Sequence, residues 1–275
     1  CNAKPVFCDV DESTFQLDPL KIEKLITKKT KAIIPVHLGG NICEMNEIKK
    51  IAKKYNLIII EDAAHAHGST LNGKMAGTLG HIGVFSFYPD KIMASSDGGI
   101  VVTNDKKIFE KLLLLRNVGR KNIGKYDYTE IGYNYRMNEI QAILAQEQLK
   151  LLPKMLKRRR EIANIYNNEL KDIPNLHCQK IVKNVNSAYY SFIMKLTKGN
   201  LNKFRKTLKE NGIETSPMFT TIYKTKIYQK LSIFSNNCPI SEILDDQTFT
   251  IPLHVGITNT EINYIIKTIK KILDL

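Results

Sequence analysis

No apolar run in the 275-residue sequence approaches the roughly 18 residues that a membrane-spanning helix needs; Leu57–Ile60 and Leu112–Leu115 are short. No secretory signal pattern is visible. Cysteine is scarce, with five in all (Cys1, Cys8, Cys43, Cys178 and Cys238). That odd number, the irregular spacing and the lack of a C-x-x-C pair argue against a disulfide framework or a structural zinc site. They fit a reducing cytoplasm instead. Also missing is a basic stretch interleaved with aromatics, which single-stranded nucleic acid would favour. The net charge of +14 is spread over Lys-rich segments such as Glu47–Lys54 and Lys154–Arg160. These read as solvated surface whose field would also favour a phosphate-bearing substrate. There is no internal repeat and no low-complexity segment.

What is present is a globular pattern. Apolar residues make up 43% of the chain, enough for a sizeable core, and the length suits one large domain plus a smaller one. In the first half, strand and helix signals alternate. Lys4–Asp9, Ala32–Val36, Leu57–Ile60, Ile82–Phe87 and Gly99–Thr103 read as strands. Asp18-Pro19 supplies an N-cap and first-turn proline for a helix through Leu25. Glu44–Tyr55 carries Met45, Ile48, Ile51 and Ala52 at helical spacing. Continuous apolar strands between helices imply a mostly parallel sheet covered on both faces. From Met137 the pattern becomes long helix, with Ile140, Ile143, Leu144 and Leu151 on one side. Pro153 is expected to kink or restart it, with helix resuming to about Leu170. After Pro174 come a strand (Ala188–Met194), a helix (Leu201–Asn211) and a last helix (Thr260–Leu273), a smaller α+β unit. The predicted division is 1–170 and 171–275.

Two segments sit where open parallel sheets bind ligands, beyond the carboxyl ends of strands. The first is Glu61-Asp62-Ala63-Ala64-His65-Ala66-His67-Gly68. Asp62 there could simply cap the next helix, or form a metal site with His65 and His67; spacing alone does not separate these. The second is Ser86-Phe87-Tyr88-Pro89-Asp90-Lys91, with Gly98-Gly99 soon after. A lysine behind a turn-fixing proline and partly out of water can form a Schiff base. Ser86 could donate to a phosphate. A lysine for an aldehyde, an aspartate for a pyridine nitrogen and donors for a phosphate are the parts of a pyridoxal-phosphate (PLP) site. A dinucleotide-binding fold is the α/β rival. However, Gly77-Thr78-Leu79-Gly80-His81-Ile82-Gly83 has the wrong spacing and lies before a strand rather than after one.

These motifs, in this order, resemble the DegT/DnrJ/StrS family of sugar-nucleotide aminotransferases. They are E-D-A-A-H-A-H-G from Glu61, G-x-x-G-x-I-G-V-F-S-F-Y-P-x-K ending at Lys91, G-G-x-V-V-T-N-D from Gly98 and G-Y-N-Y-R-M-N-E-I-Q-A from Gly132. The likeness runs from P-V-F-C-D-V-D at Pro5, through I-I-P-V-H-L-G-G at Ile33, to I-P-L-H-V-G-I-T at Ile251. The resemblance implies the aspartate-aminotransferase fold (PLP fold type I) and a homodimer with active sites at its interface. By motif position it implies PLP bound to Lys91 and Asp62 facing the pyridine nitrogen. His65 would lie beside the ring, Ser86 on the phosphate and Asn134 on the neighbouring subunit's phosphate. It implies transfer of an amino group, commonly from glutamate, to a keto sugar nucleotide in amino-sugar or surface-polysaccharide biosynthesis. Lys91 would also move the proton as general acid and base. The chain opens on Cys1 and runs at once into a strand-like segment, so it reads as N-terminally truncated. In the family, upstream sequence supplies a Gly-Thr-rich phosphate loop and an aromatic that stacks on the ring. Family members often carry Arg in the stretch that is Glu214-Thr215-Ser216-Pro217 here. Sugar dehydratases of the same family replace the cofactor lysine by His, so Lys91 favours transamination. A non-catalytic regulator or remnant is the alternative of a different class.

Overall fold

The computed structural model describes residues 3–121, 126–218, 220–231 and 237–274; Cys1 and the chain start lie outside them. The first elements are α1 (Pro19–Ile22), β1 (Ala32–Ile33), α2 (Met45–Tyr55), β2 (Ile58–Asp62), β3 (Thr70–Leu71), β4 (Lys74–Met75), β5 (Ile82–Ser86) and β6 (Gly99–Val102). Next come α3 (Lys106–Arg116), α4 (Glu139–Leu170), β7 (Leu176–Cys178), β8 (Val185–Asn186), β9 (Phe192–Leu196) and α5 (Leu201–Glu210). The chain finishes with β10 (Ser216–Pro217), α6 (Lys226–Leu231), α7 (Pro239–Gln247), β11 (Thr248–Ile251) and α8 (Asn259–Ile272). Among the described residues no helix is long and apolar enough to cross a membrane.

Local chemistry explains several of these elements. Pro19 opens α1, where its missing N–H has no intrahelical role, and Asp18 accepts from the Leu20 amide at 2.9 Å. In α2, Met45, Ile48, Ile51 and Ala52 are buried while Lys49, Lys50, Lys53 and Lys54 face water. Asn56 then stops that helix in the left-handed conformation at φ 51°.

The first sheet has the order β1-β2-β5-β6. β1 with β2 and β2 with β5 are parallel, and β6 returns antiparallel to β5. The carboxyl ends of β2 and β5 therefore lie side by side, with Asp62 opposite Val84. A Cβ on Gly83 would stand 2.2 Å from the Gly77 carbonyl oxygen, so only glycine lets β5 approach the turn before it. Ile42, Met45, Ile48 and Ile59 are at the centre of the core beneath this sheet. A second, antiparallel sheet has the order β10-β11-β9-β7. With α5, α8 and the last part of α4 it encloses another core around Tyr166, Leu170, Phe192, Met194, Phe249 and Ile262. A small sheet, β4-β3-β8, joins residues 70–75 to residues 185–186.

Three expectations need correction. Lys4–Asp9 is not a strand: an extended segment needs a hydrogen-bonded neighbour, and among the described residues none pairs with it. The next residue, Val10, makes an isolated bridge to Leu17. Pro153 does not restart the helix, and α4 runs unbroken for 32 residues. An interior proline costs about 3 kcal/mol. Here Leu152 and Leu156 are anchored in a cluster with Ile92 and Ala188, residues 162–170 in the second core, and a capping box of Asn138 and Gln141 closes the other end. The stripe of Ile140, Ile143, Leu144 and Leu151 is exposed in this chain. Finally, the end of the Lys154–Arg160 segment is not solvated surface. Arg158, Arg159 and Arg160 all donate to backbone carbonyls, among them Ile257, Leu253 and Ser187.

The turn at residues 9–16 is tied to the far end of the chain. Buried Asp9 accepts from the amides of Ile240 (3.1 Å) and Ser241 (2.8 Å) and from the Ser241 hydroxyl (2.8 Å), capping α7 from outside. Glu12 pairs with the buried Lys195, and Gln179 Nε2 donates to the Thr14 carbonyl at 2.8 Å.

Candidate functional site

The end of β2 carries two carboxylates with different surroundings. Glu61 is fully buried. Its Oε1 accepts from the amides of Leu79 (2.7 Å) and Gly80 (2.5 Å), and its Oε2 from the Gly77 amide (2.8 Å) and His37 Nε2 (2.9 Å). His37 Nδ1 accepts from the Cys43 amide at 3.3 Å, which places the ring hydrogen on Nε2, facing Glu61. Burial pushes the Glu61 carboxyl up, but His37 and the glycine amides outweigh it and hold it below the usual carboxylate range. The glycine-rich stretch at residues 77–83 is thus a cradle for the chain's own carboxylate, not for a dinucleotide phosphate.

Asp62 is only half-buried. Its Oδ1 accepts from the Ala64 amide at 3.1 Å, while its backbone is fixed on both sides by Pro35 O and His37 N. It lines a cavity of about 450 Å³ together with Ser86, Gly98, Gly99, Ala64 and the apolar side chains of Ile34, Ile60 and Val84. Ser86 ends β5 opposite Gly99, and its Oγ accepts from the Tyr88 amide at 3.3 Å. The sequence-predicted Asp62 and Ser86 are therefore brought into one cavity.

Lys91 and His65 do not line that cavity; they meet each other on Tyr190. The Lys91 amide closes a turn onto the Tyr88 carbonyl at 3.0 Å. Its side chain is 12% exposed. Nζ pairs with Asp90 Oδ1 at 3.1 Å and donates to Tyr190 Oη at 3.4 Å, 4.8 Å from that ring's centroid. His65 stacks on the same ring at 4.0 Å and 16°, and its Nδ1 accepts from the Gly39 amide at 3.5 Å. Asn134 is not brought to this group. It is exposed and bridges to Asn117. His67 lies among Phe85 and Phe87, facing the backbone of Ser86. Asp62, His65 and His67 therefore point to different partners. Among the described residues no three His, Cys, Asp or Glu side chains are placed to hold a metal.

Burial, then the charge of Lys91, pushes His65 down to about 4. Burial also pushes His67 down to about 4, opposed by the Ser86 backbone and reinforced by the charge of Lys91. Both rings are neutral at pH 7. As the pH falls below 6.5 the unfolded chain takes up protons that the folded chain refuses until about pH 4. The stability present above pH 6.5 is therefore lost through that window, by roughly 3 kcal/mol per ring at 1.36 kcal/mol per unit. Urea unfolding at pH 7 and at pH 4.5 measures the loss. A double variant, His65→Gln with His67→Phe, should show a much shallower loss, and an unchanged slope would refute this account.

Sequence reasoning missed Glu61, Tyr190 and Arg159. Glu61 was visible only as the neighbour of Asp62. Tyr190 lies inside a segment that reads as plain strand. Arg159 sits in a run of surface-type residues.

Comparisons with known proteins bear on this geometry. The model of the DegT/DnrJ/EryC1/StrS aminotransferase family matches residues 1–270. The chain is 34% identical over 277 residues to the GDP-perosamine synthase of Caulobacter vibrioides, covering 99% of this chain and 74% of that protein. It is 36% identical over 271 residues to the dTDP-3-amino-3,6-dideoxy-alpha-D-galactopyranose transaminase of Aneurinibacillus thermoaerophilus, covering 98% and 73%. Among solved structures, the PLP form of Spr1654 from Streptococcus pneumoniae superposes with a TM-score of 0.91 at 26% identity, covering 99% of this chain and 76% of that one.

Proposed function

The chain belongs to the DegT/DnrJ/EryC1/StrS aminotransferase family, and from that premise we propose that it binds pyridoxal phosphate and moves an amino group from glutamate to the keto carbon of a nucleotide-linked sugar. The observation that carries this reading is the end of the first sheet. A carboxylate (Asp62) and a hydroxyl (Ser86) share a cavity of about 450 Å³, and the turn that leaves Ser86 carries a primary amine, Lys91, 12% exposed. This donor set fits the cofactor. The two relatives named above take their names from GDP- and dTDP-linked sugars, and Spr1654 was solved in a PLP form.

When bound, pyridoxal phosphate supplies an aldehyde that takes an amine and a ring that draws electrons from the bond being broken. The rest is done by the protein. Lys91 Nζ would present the amine and, once free, would take the proton from the donor carbon that bears the amino group and, in the second half of the reaction, give one to the sugar carbon that gains it. The Asp62 oxygen not occupied by the Ala64 amide holds a proton on the ring nitrogen. His65, neutral, would pack beside the ring, and Ser86 Oγ would donate to the phosphate. Exposed Asn134 serves the phosphate of a second copy of the chain, which makes the active form a homodimer. In the same reading residues 1–170 carry the cofactor and 171–275 form the smaller unit, and the enzyme works in the reducing cytoplasm on amino-sugar or polysaccharide precursors.

The test is direct. Protein loaded with pyridoxal phosphate is mixed with glutamate and a panel of keto sugar nucleotides, simple keto sugars and keto acids. Release of 2-oxoglutarate with a keto sugar nucleotide and with no other class is the expected result. Turnover restricted to keto acids would sink the substrate assignment.

A further inference from the structure

We propose that Tyr190 positions the amine of Lys91, and that the half-buried Arg159 positions Tyr190; this rests on the reading of Lys91 as the cofactor lysine. Tyr190 comes from the second half of the chain, 99 residues beyond Lys91. Its ring nevertheless meets two expected site residues at once: one face is stacked on His65 at 4.0 Å, and Lys91 Nζ lies 4.8 Å from its centroid and 3.4 Å from its hydroxyl. The other partner of Lys91, Asp90, is 53% exposed, and a solvated carboxylate holds an ammonium loosely. A lysine stem has many rotamers. A fixed acceptor on its inner side removes most of them, so the amine returns to one place each time it is freed.

The backbone around Tyr190 is arranged for this contact. Tyr189 is held at φ 48°, in the sparsely populated left-handed region. A Cβ on Gly40 would stand 2.8 Å from the Tyr189 amide nitrogen and 3.0 Å from that of Tyr190, so the segment is pressed against residue 40. Arg159, reaching out from α4, directs NH1 at three carbonyls: Tyr189 (3.0 Å), Leu253 (3.1 Å) and Tyr190 (3.2 Å). It has no ion-pair partner among the described residues. Burial holds the guanidinium below its ordinary range. A cation partly taken out of water is costly unless it makes hydrogen bonds; among the described residues Arg159 leaves its Nε without a partner and uses NH1 for the carbonyls around Tyr189 and Tyr190. Burial, then the charge of Asp90, pushes the Tyr190 phenol up, so at neutral pH the hydroxyl keeps its proton and offers Lys91 a lone pair.

The experiment uses apo protein mixed with pyridoxal phosphate. Capture is monitored by absorbance, fixed with borohydride and located by peptide mapping. In the wild type the label should fall on Lys91; a label on another lysine overturns the reading of Lys91 and this proposal with it. Tyr190→Phe keeps the ring and its stack on His65 and loses only the acceptor. Capture at Lys91 should slow about tenfold, the scale of one hydrogen bond to a charged group. In the loaded enzyme kcat should fall with the KM for the amino donor unchanged. Arg159→Lys leaves the tyrosine intact and is the second arm. It should slow capture several-fold, and the double variant should be no slower than the slower single variant, because both act through one contact. If the wild-type label sits on Lys91 but both single variants capture at the wild-type rate, Tyr190 does not position the amine.

Discussion

Replacing Lys91 by alanine is expected to remove amino transfer, with a fall of roughly five orders of magnitude or more in kcat/KM, about 7 kcal/mol of transition-state stabilisation. No other group can take over both tasks assigned to this residue, attachment of the cofactor and carriage of the proton. The fold should survive, because the contacts of Nζ are with Asp90 and Tyr190 at the edge of a surface turn rather than in either core. Circular dichroism should therefore match the wild type, while the variant binds pyridoxal phosphate without the borohydride-stable link. A Lys91→Ala protein that still turns over glutamate and a keto sugar nucleotide would show that another amine carries the chemistry.

Changing Asp62 to asparagine should cost about three to four orders of magnitude in kcat, or roughly 4–5 kcal/mol. The amide has the shape of the carboxylate and can still accept from the Ala64 amide, which Asp62 Oδ1 does at 3.1 Å. It has no negative charge to keep a proton on the ring nitrogen. Asp62→Ala removes both functions and should also lose about 1 kcal/mol of stability with that hydrogen bond. The pair of variants separates the two effects. Equal stability of wild type and Asp62→Asn with collapsed kcat is the expected pattern. An active Asp62→Asn enzyme would mean that the electron sink does not depend on this residue.

What could be read in the sequence was what lies in one continuous stretch. Asp62 and Ser86 come directly after apolar strands, so their place beyond the carboxyl ends of a parallel sheet is given by the rule for such sheets. The stripe of α2 could be read from the helical period. What escaped depends on distant partners. Lys4–Asp9 has the composition of a strand but no neighbour among the described residues. Pro153 obeys local rules for breaking a helix and is overruled by anchoring on both sides of it. Arg159 looks like its exposed neighbour Lys157 until the carbonyls of residues 189, 190 and 253 are placed around it. Tyr190 carries no local signal at all, since its importance lies in two contacts that span the chain.

The tie between the 9–16 turn and the far end of the chain has a consequence for how the protein is made. Asp9 leaves the ribosome long before its partners Ile240 and Ser241, which lie 231 and 232 residues further on. Glu12 and Thr14 likewise wait for Lys195 and Gln179. Closing so long a loop costs entropy before any of these bonds returns enthalpy, and nucleation through such contacts is slow. The turn is therefore a late-closing clasp. During synthesis the first core can assemble from residues 22–79 without it, whereas the contact between Asp9 and α7 forms only after residues 240 and 241 have emerged.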